Sequence, residues 1–144
     1  MADAKKIQLK IVSPEKVILE REIYQATLPV VGGIVTILPN HRSYIGALKT
    51  GEIILKDGAE EVDLAVTGGF VEFNKNVMTV LADNAQHGHE IDLKEAEEAR
   101  KRAEEAMKQR HTMDDMEYAT VAGELELALI HIKIARRHHA RMGR

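Results

Sequence analysis

The 144-residue chain has no cysteine and no tryptophan, and only two phenylalanines and three prolines. The absence of cysteine excludes disulfides and thiolate metal sites and suits a reducing compartment. With so few aromatic residues, the core has to be built from aliphatic side chains. No charge of one sign dominates: a net charge of −3 argues against bulk attraction to nucleic acid. No apolar run approaches the roughly 20 residues of a transmembrane helix, so direct membrane insertion is not expected. The opening stretch MADAKKIQLKIVS lacks the apolar core of a secretory signal, so nothing suggests export. With 44% hydrophobic and 30% charged residues, the composition is that of a folded chain, long enough for one domain or a small domain with an appendage.

The signatures of common chemistries are missing as well. There is no G-x-x-x-x-G-K-[ST], no G-x-G-x-x-G and no H-E-x-x-H. The doublets Gly32-Gly33 and Gly68-Gly69 read as turns between strands, not as phosphate cradles. His87 and His89 flank Gly88, and His131, His138 and His139 lie near the end, but none of these spacings matches a known ligand set, so no metal is expected. Ser13 and Ser43 are the only serines, and neither sits in a nucleophile elbow. No catalytic residue and no cofactor is expected, and enzyme activity in the chain alone is not expected.

What is present changes character near residue 86. Before it lie all three prolines and seven of the ten glycines, among short β-branched runs. Ile7, Leu9 and Ile11 alternate with Gln8 and Lys10, the period of a half-buried strand. Ile23–Val30, Ile34–Leu38, Glu52–Leu55, Val62–Val66, Phe70–Phe73 and Val77–Leu81 continue the series. Turn signals at Ser13-Pro14, Gly32-Gly33, Lys56-Asp57-Gly58, Thr67-Gly68-Gly69 and Asn74-Lys75-Asn76 separate them. Short strands at this spacing predict an antiparallel sandwich or barrel over residues 1–86.

Residues 87–144 read as two helices. Asp92 with Glu95 forms a capping box, and Ile91 can staple onto Ala96. Ala96, Ala99, Ala103 and Ala106 make a narrow stripe, and Glu97–Lys101, Glu98–Arg102 and Glu104–Lys108 are favourably ordered i,i+4 pairs. An alanine stripe buries little area, which suits a helix that can leave its partner. After HTMDDMEY, where Asp114 or Asp115 can cap, Tyr118, Val121, Ala122, Leu125, Leu129 and Ile132 fall on one face of a second helix. Leu125–Ala135 also alternates like a strand, but the alternation slips phase between Leu129 and Ile130, which favours helix. This stretch is apolar nearly all round, more than a two-helix hairpin needs. From Leu127 onward there are five basic residues (Lys133, Arg136, Arg137, Arg141, Arg144) and no acidic one. They suit a helix C-terminus and solubility, or an acidic partner met by Arg136, Arg137 and Arg141. Nucleic acid is disfavoured by the lack of nearby stacking aromatics.

The stretch ILPNHRSYIGALKTGEI (Ile37–Ile53) places a proline–asparagine turn before a histidine and an arginine. It resembles the strand–turn–strand ILPGHAPLLTALKPG-I/V of the epsilon subunit of bacterial F-type ATP synthases, with Asn40 in place of a glycine. AVTGGFVEF resembles that family's VSGGFLEV, MTVLADNAQ its VTVLADTAE, and EIDLKEAEEARKRAEEA its first C-terminal helix. The four motifs stand in the family's order over nearly the whole chain.

The resemblance implies a ten-stranded β-sandwich that binds the gamma subunit and rests one edge on the ring of membrane c subunits. That edge would hold Pro39, Asn40, His41 and Arg42, with Ser13 on the neighbouring strand end. It implies a C-terminal hairpin that folds against the sandwich or extends into the alpha/beta catalytic head and blocks ATP hydrolysis, its arginines Arg136, Arg137 and Arg141 meeting an acidic segment of the beta subunit. The chain would be a non-catalytic stalk subunit of a proton-translocating synthase, peripheral on the cytoplasmic face of the bacterial plasma membrane. Some members bind ATP through I/L-D-x-x-R-A. Here only Asp92 matches and Glu95 stands where the arginine would be, which disfavours ATP. Ile34 likewise replaces a glutamate often found after glycine, so a salt bridge from there to the ring is not carried over. The rival readings are a stand-alone sandwich adaptor that binds an acidic protein, and a nucleic-acid binder using the basic tail.

Overall fold

The computed structural model describes residues 5–142, and their contacts divide the chain between His87 and Gly88. The first unit holds ten strands: β1 Ile7–Val12, β2 Val17–Ile23, β3 Gln25–Val30, β4 Gly33–Ile37, β5 Tyr44–Leu48, β6 Gly51–Asp57, β7 Glu60–Val66, β8 Gly69–Asn74, β9 Val77–Ala82 and β10 Ala85–His87. They pair in the order β10-β7-β6-β3-β5-β8-β9-β1-β2, with β4 on the other side of β3. The link between β3 and β5 is a single residue pair, Val30 with Leu48. The path folds there into two layers, β4-β3-β6-β7-β10 and β5-β8-β9-β1-β2.

Period-two alternation sends one side chain in two to the space between the layers. Ile7, Leu9 and Ile11 of β1 meet Val71 and Phe73 of β8 and Met78 and Val80 of β9, with Leu28, Ile37, Ile53, Leu55, Leu64 and Val66 from the other layer, in one buried cluster. The core is aliphatic apart from Phe73 and Met78, as the composition requires. Arg21 of β2 pairs with Leu9 and so occupies an inward register. It reaches the sandwich rim, where its Nη2 lies 2.7 Å from Glu60 Oε2 of β7.

The expected sandwich is present, but β5 and β10 lie outside the runs read from periodicity, and there are further differences. The run Ile23–Val30 is two strands. The chain leaves one layer at Ile23 and enters the other at Gln25, and between them the Tyr24 N–H donates to the Lys56 carbonyl at 2.9 Å. β2 escapes the hydrophobic pattern because Glu20, Arg21 and Glu22 interrupt it. Finally, β1 and β9 pair in parallel, Gln8 with Val77 through Val12 with Leu81; every other pair is antiparallel.

The second unit is a helical hairpin: α1 Leu93–Met107 and α2 Asp115–Met142. Asp92 caps α1, its Oδ1 accepting from the Glu95 N–H at 3.1 Å. Among the described contacts the Glu95 carboxylate makes no return bond, so only half of the expected capping box forms. Asp114 caps α2, accepting from the Glu117 N–H at 2.8 Å. At the turn the Arg110 guanidinium stacks 3.9 Å over the Tyr118 ring. Ala96 and Ala103 of α1 are buried, as are Ala128, Ile132, Ile134 and Ala135 of α2. Each methyl buried on α1 contributes only about 0.8 kcal/mol. Leu129, expected on the buried face, is 48% exposed, and Ala128 takes the inward position.

Candidate docking surfaces

The corner at residues 38–43 is a tight turn. The His41 N–H donates to the Leu38 carbonyl at 3.1 Å, Pro39 sits at the second position, and Asn40 at the third has φ 69°. Proline followed by a left-handed residue is the type II arrangement, for which asparagine is tolerated where glycine is usual. Asn40 is bound to the adjacent β8–β9 turn. Its N–H donates to Asn76 Oδ1 at 2.6 Å, and Asn76 Nδ2 donates back to Asn40 Oδ1 at 3.1 Å. Ser43 Oγ donates to Asn74 Oδ1 at 2.8 Å. His41 points partly inward, edge-on to Phe73 at 5.9 Å and to Tyr44 at 6.4 Å. Its Nδ1 lies 2.7 Å from the Arg42 carbonyl; a carbonyl only accepts, so Nδ1 carries the proton. His41 is therefore an anchor of the corner, and Arg42 is the exposed cation that the corner presents.

Ser13 is not part of this group. It follows the end of β1, where Val12 pairs with Leu81, and its Oγ and backbone close a turn onto Lys16. Asn76, the partner of Asn40, precedes β9 at the other end, beside Gln8. Six residues of β1 at about 3.3 Å each separate the two ends by roughly 17–20 Å. The parallel β1–β9 pairing, which sequence periodicity does not reveal, puts Ser13 and the corner at opposite ends of the sandwich.

A surface that the sequence reading missed lies on the outer face of the β5-β8-β9-β1-β2 layer. The register aligns Ala47 with Phe70, Phe70 with Leu81, Leu81 with Val12 and Val12 with Val17. Phe70 is 59% exposed, Leu81 53% and Val17 51%; Ile45, two residues from Ala47 on the same face, is 75% exposed. An apolar row that crosses a whole layer is the form of a contact face, whereas scattered exposed aliphatics are not. The signal was in the sequence: adjacent apolar residues in a strand, such as Val80-Leu81, point to opposite faces, so one of them must face outward.

The tail arginines divide. Arg136 Nη2 lies 3.3 Å from Glu97 Oε1 of α1. Arg137 and Arg141, four residues apart, share another side of α2. Burial first, and then the Arg141 charge, lower the Arg137 pKa. His131, half-buried on α2, is also lowered, by burial. Where α1 begins, a cleft of about 430 Å³ is lined by Ile91, Asp92, Leu93, Lys94, Glu97 and His139. Asp92 is committed to its cap there, and Glu95 is not among the lining residues. Among the described residues, no helix is long and apolar enough to cross a membrane.

Comparison with known proteins gives the following. Residues 6–88 match the family model described as ATP synthase, Delta/Epsilon chain, beta-sandwich domain, and residues 89–136 match that of its long alpha-helix domain. The ATP synthase epsilon chain of Herpetosiphon aurantiacus is 38% identical over 130 residues, covering 90% of this chain and 94% of that one. The ATP synthase epsilon chain of Thioalkalivibrio sulfidiphilus is 40% identical over 133 residues, covering 89% and 93%. A chain in the cryo-EM structure of the Euglena gracilis mitochondrial ATP synthase (OSCP/F1/c-ring, rotational state 1) shares the fold, with a TM-score of 0.76 at 21% identity and coverage of 88% and 81%.

Proposed function

The chain belongs to the Delta/Epsilon chain family of ATP synthase, and from this premise we propose that it is a non-catalytic central-stalk subunit that couples ring rotation to the catalytic head and restrains ATP hydrolysis. The sandwich meets the gamma subunit and the ring of c subunits. The hairpin is a separable regulatory unit whose tail reaches the alpha/beta head, with Arg136, Arg137 and Arg141 directed at an acidic segment of the beta subunit. The subunit is peripheral, on the cytoplasmic face of the bacterial plasma membrane. A stand-alone adaptor is left without support, since both parts of the chain match the one family.

The observation that carries this reading is the apolar row Ala47–Phe70–Leu81–Val12–Val17. A face of this kind suits burial in an assembly, and the ends of the layer then become rims of the contact. The corner Pro39, Asn40, His41 and Arg42 serves one rim and the turn at Ser13 the other. Because they stand at opposite ends, we assign them to separate contacts.

The test is reconstitution with an ATPase depleted of its own epsilon subunit. Phe70→Glu with Leu81→Glu places two charges in the row without touching the core. Loss of two central apolar contacts predicts at least about thirtyfold weaker incorporation, with circular dichroism unchanged. Deleting residues after His111 is expected to raise hydrolysis while leaving assembly intact. Full incorporation of the double variant would refute the docking face, and unchanged hydrolysis in the truncated chain would refute the regulatory role.

A further inference from the structure

We propose that the Glu97–Arg136 ion pair is a latch on the helical hairpin, and that closing it withdraws Arg136 from any acidic partner, so the same arginine cannot serve both states. The latch stands on the geometry of the hairpin; its regulatory consequence rests on the function proposed above.

The hairpin is tied at both ends by an arginine. At the turn, Arg110 stacks 3.9 Å over Tyr118. At the open end, Arg136 Nη2 of α2 reaches Glu97 Oε1 of α1 at 3.3 Å. Apart from the ties, α1 offers the methyls of Ala96, next to Glu97, and Ala103, a contact that permits close approach but holds weakly. Beside the Glu97 tie the packing is incomplete: Glu97 lines the cleft of about 430 Å³ with Ile91, Leu93, Lys94 and His139. An ion pair weighs most where apolar packing is least, and the open end is where separation of two antiparallel helices begins.

The pair is partly exposed, with side chains 59% accessible at Arg136 and 38% at Glu97. Its strength is therefore modest, and breaking it shifts the closed-to-open balance about two- to fivefold. That magnitude suits a switch, since a stronger tie would hold the hairpin shut. An acidic segment that offers Arg136 a carboxylate competes with Glu97 for the same guanidinium. Arg137 and Arg141, on another side of α2, are not involved in the competition.

The experiment uses the full chain with Glu97→Gln, Arg136→Gln and both together, read by amide hydrogen exchange. Each single variant is expected to speed exchange over residues 93–97 and 132–139 two- to fivefold. The double variant is expected to go no further, because the pair can be broken only once. Unchanged exchange over β1 and β9 confirms folding. Wild-type rates in both single variants, or single effects that add in the double, overturn the latch. In the reconstituted ATPase the two single variants are then expected to differ in sign. Glu97→Gln frees Arg136 and lowers hydrolysis, while Arg136→Gln removes the docking group and raises it. Changes of the same sign overturn the competition. Altered exchange with hydrolysis unchanged in every variant leaves the latch standing and refutes the inhibitory role instead.

Discussion

Alanine at Gly69 is expected to bring the sandwich close to unfolding, while the same change at Gly32 is expected to be mild. Both glycines hold a backbone that L-residues rarely adopt, with φ 127° at Gly69 and 98° at Gly32. Alanine therefore costs about 1–3 kcal/mol of strain at either position. At Gly32 a Cβ would meet nothing within 4 Å, so strain is the whole cost. At Gly69 the Cβ would overlap the Leu81 carbonyl oxygen and stand 2.9 Å from Ala82 Cα. Both obstacles are backbone of β9, the strand that Gly69 pairs with, and neither can rotate away. Displacing that strand adds roughly 2–3 kcal/mol, for a total of about 3–6 kcal/mol. With a urea m-value of ~1 kcal/mol/M, the midpoint should fall by about 3–6 M for Gly69→Ala and by about 1–3 M for Gly32→Ala. Urea titrations followed through the amide NMR signals of β8 and β9 report the sandwich without interference from the helices. Equal shifts for the two variants would show that the steric argument at Gly69 is wrong.

Gly123 stands inside α2, and a Cβ there meets nothing within 4 Å. Gly123→Ala should stabilise the hairpin by about 0.8–1 kcal/mol, seen as slower amide exchange in α2; faster exchange would contradict the reading. His131 has its pKa lowered by burial in the fold, so the unfolded chain takes up the proton more readily. The stability that its neutral form confers is fully present above the ordinary value of 6.5 and is lost as the pH falls below it, through the lowered folded-state pKa. Hairpin protection should drop between pH 7 and 5, and His131→Leu should flatten that drop; an equally steep profile in the variant would refute it. Isothermal titration of the full chain with Mg-ATP should show no saturable binding in the micromolar range, because Glu95 offers a polyanion repulsion where a guanidinium would offer hydrogen bonds. A micromolar dissociation constant would reverse that expectation.

Local order was legible wherever one physical rule acted alone. The alternation Ile7-Leu9-Ile11 needed only the pleat, the turn at Pro39-Asn40 only the backbone tolerance of asparagine, and the cap at Asp92 only an orphan N–H. Reading failed where two demands met in one residue. β2 was hidden because Arg21 occupies an inward register yet carries a charge that escapes at the rim to Glu60. That Phe70 and Leu81 face outward was not legible, because exposure is a property of the register, and the register depends on strands far apart in the chain. The grouping of Ser13 with His41 failed for the same reason, since the parallel β1–β9 pair puts the two strand ends apart. Arg136 was read as one of three equivalent tail charges. Its bond to Glu97 depends on how two helices align, which no spacing within one helix discloses.

The parallel pairing of β1 with β9 also sets a timetable for synthesis. Ile7, Leu9 and Ile11 leave the ribosome early, but the strand against which β1 lies ends at Ala82, some 70 residues later. At translation rates of about 5–20 residues per second, the first strand waits roughly 4–14 s for its partner. Until then it has only β2 beside it, and an isolated two-stranded hairpin is marginal in water. The layer that carries the apolar row therefore stays open until β9 has emerged. For those seconds β1 offers an open aliphatic edge to whatever is nearby, so a chaperone that binds short apolar strands would find its target there before the helices have emerged.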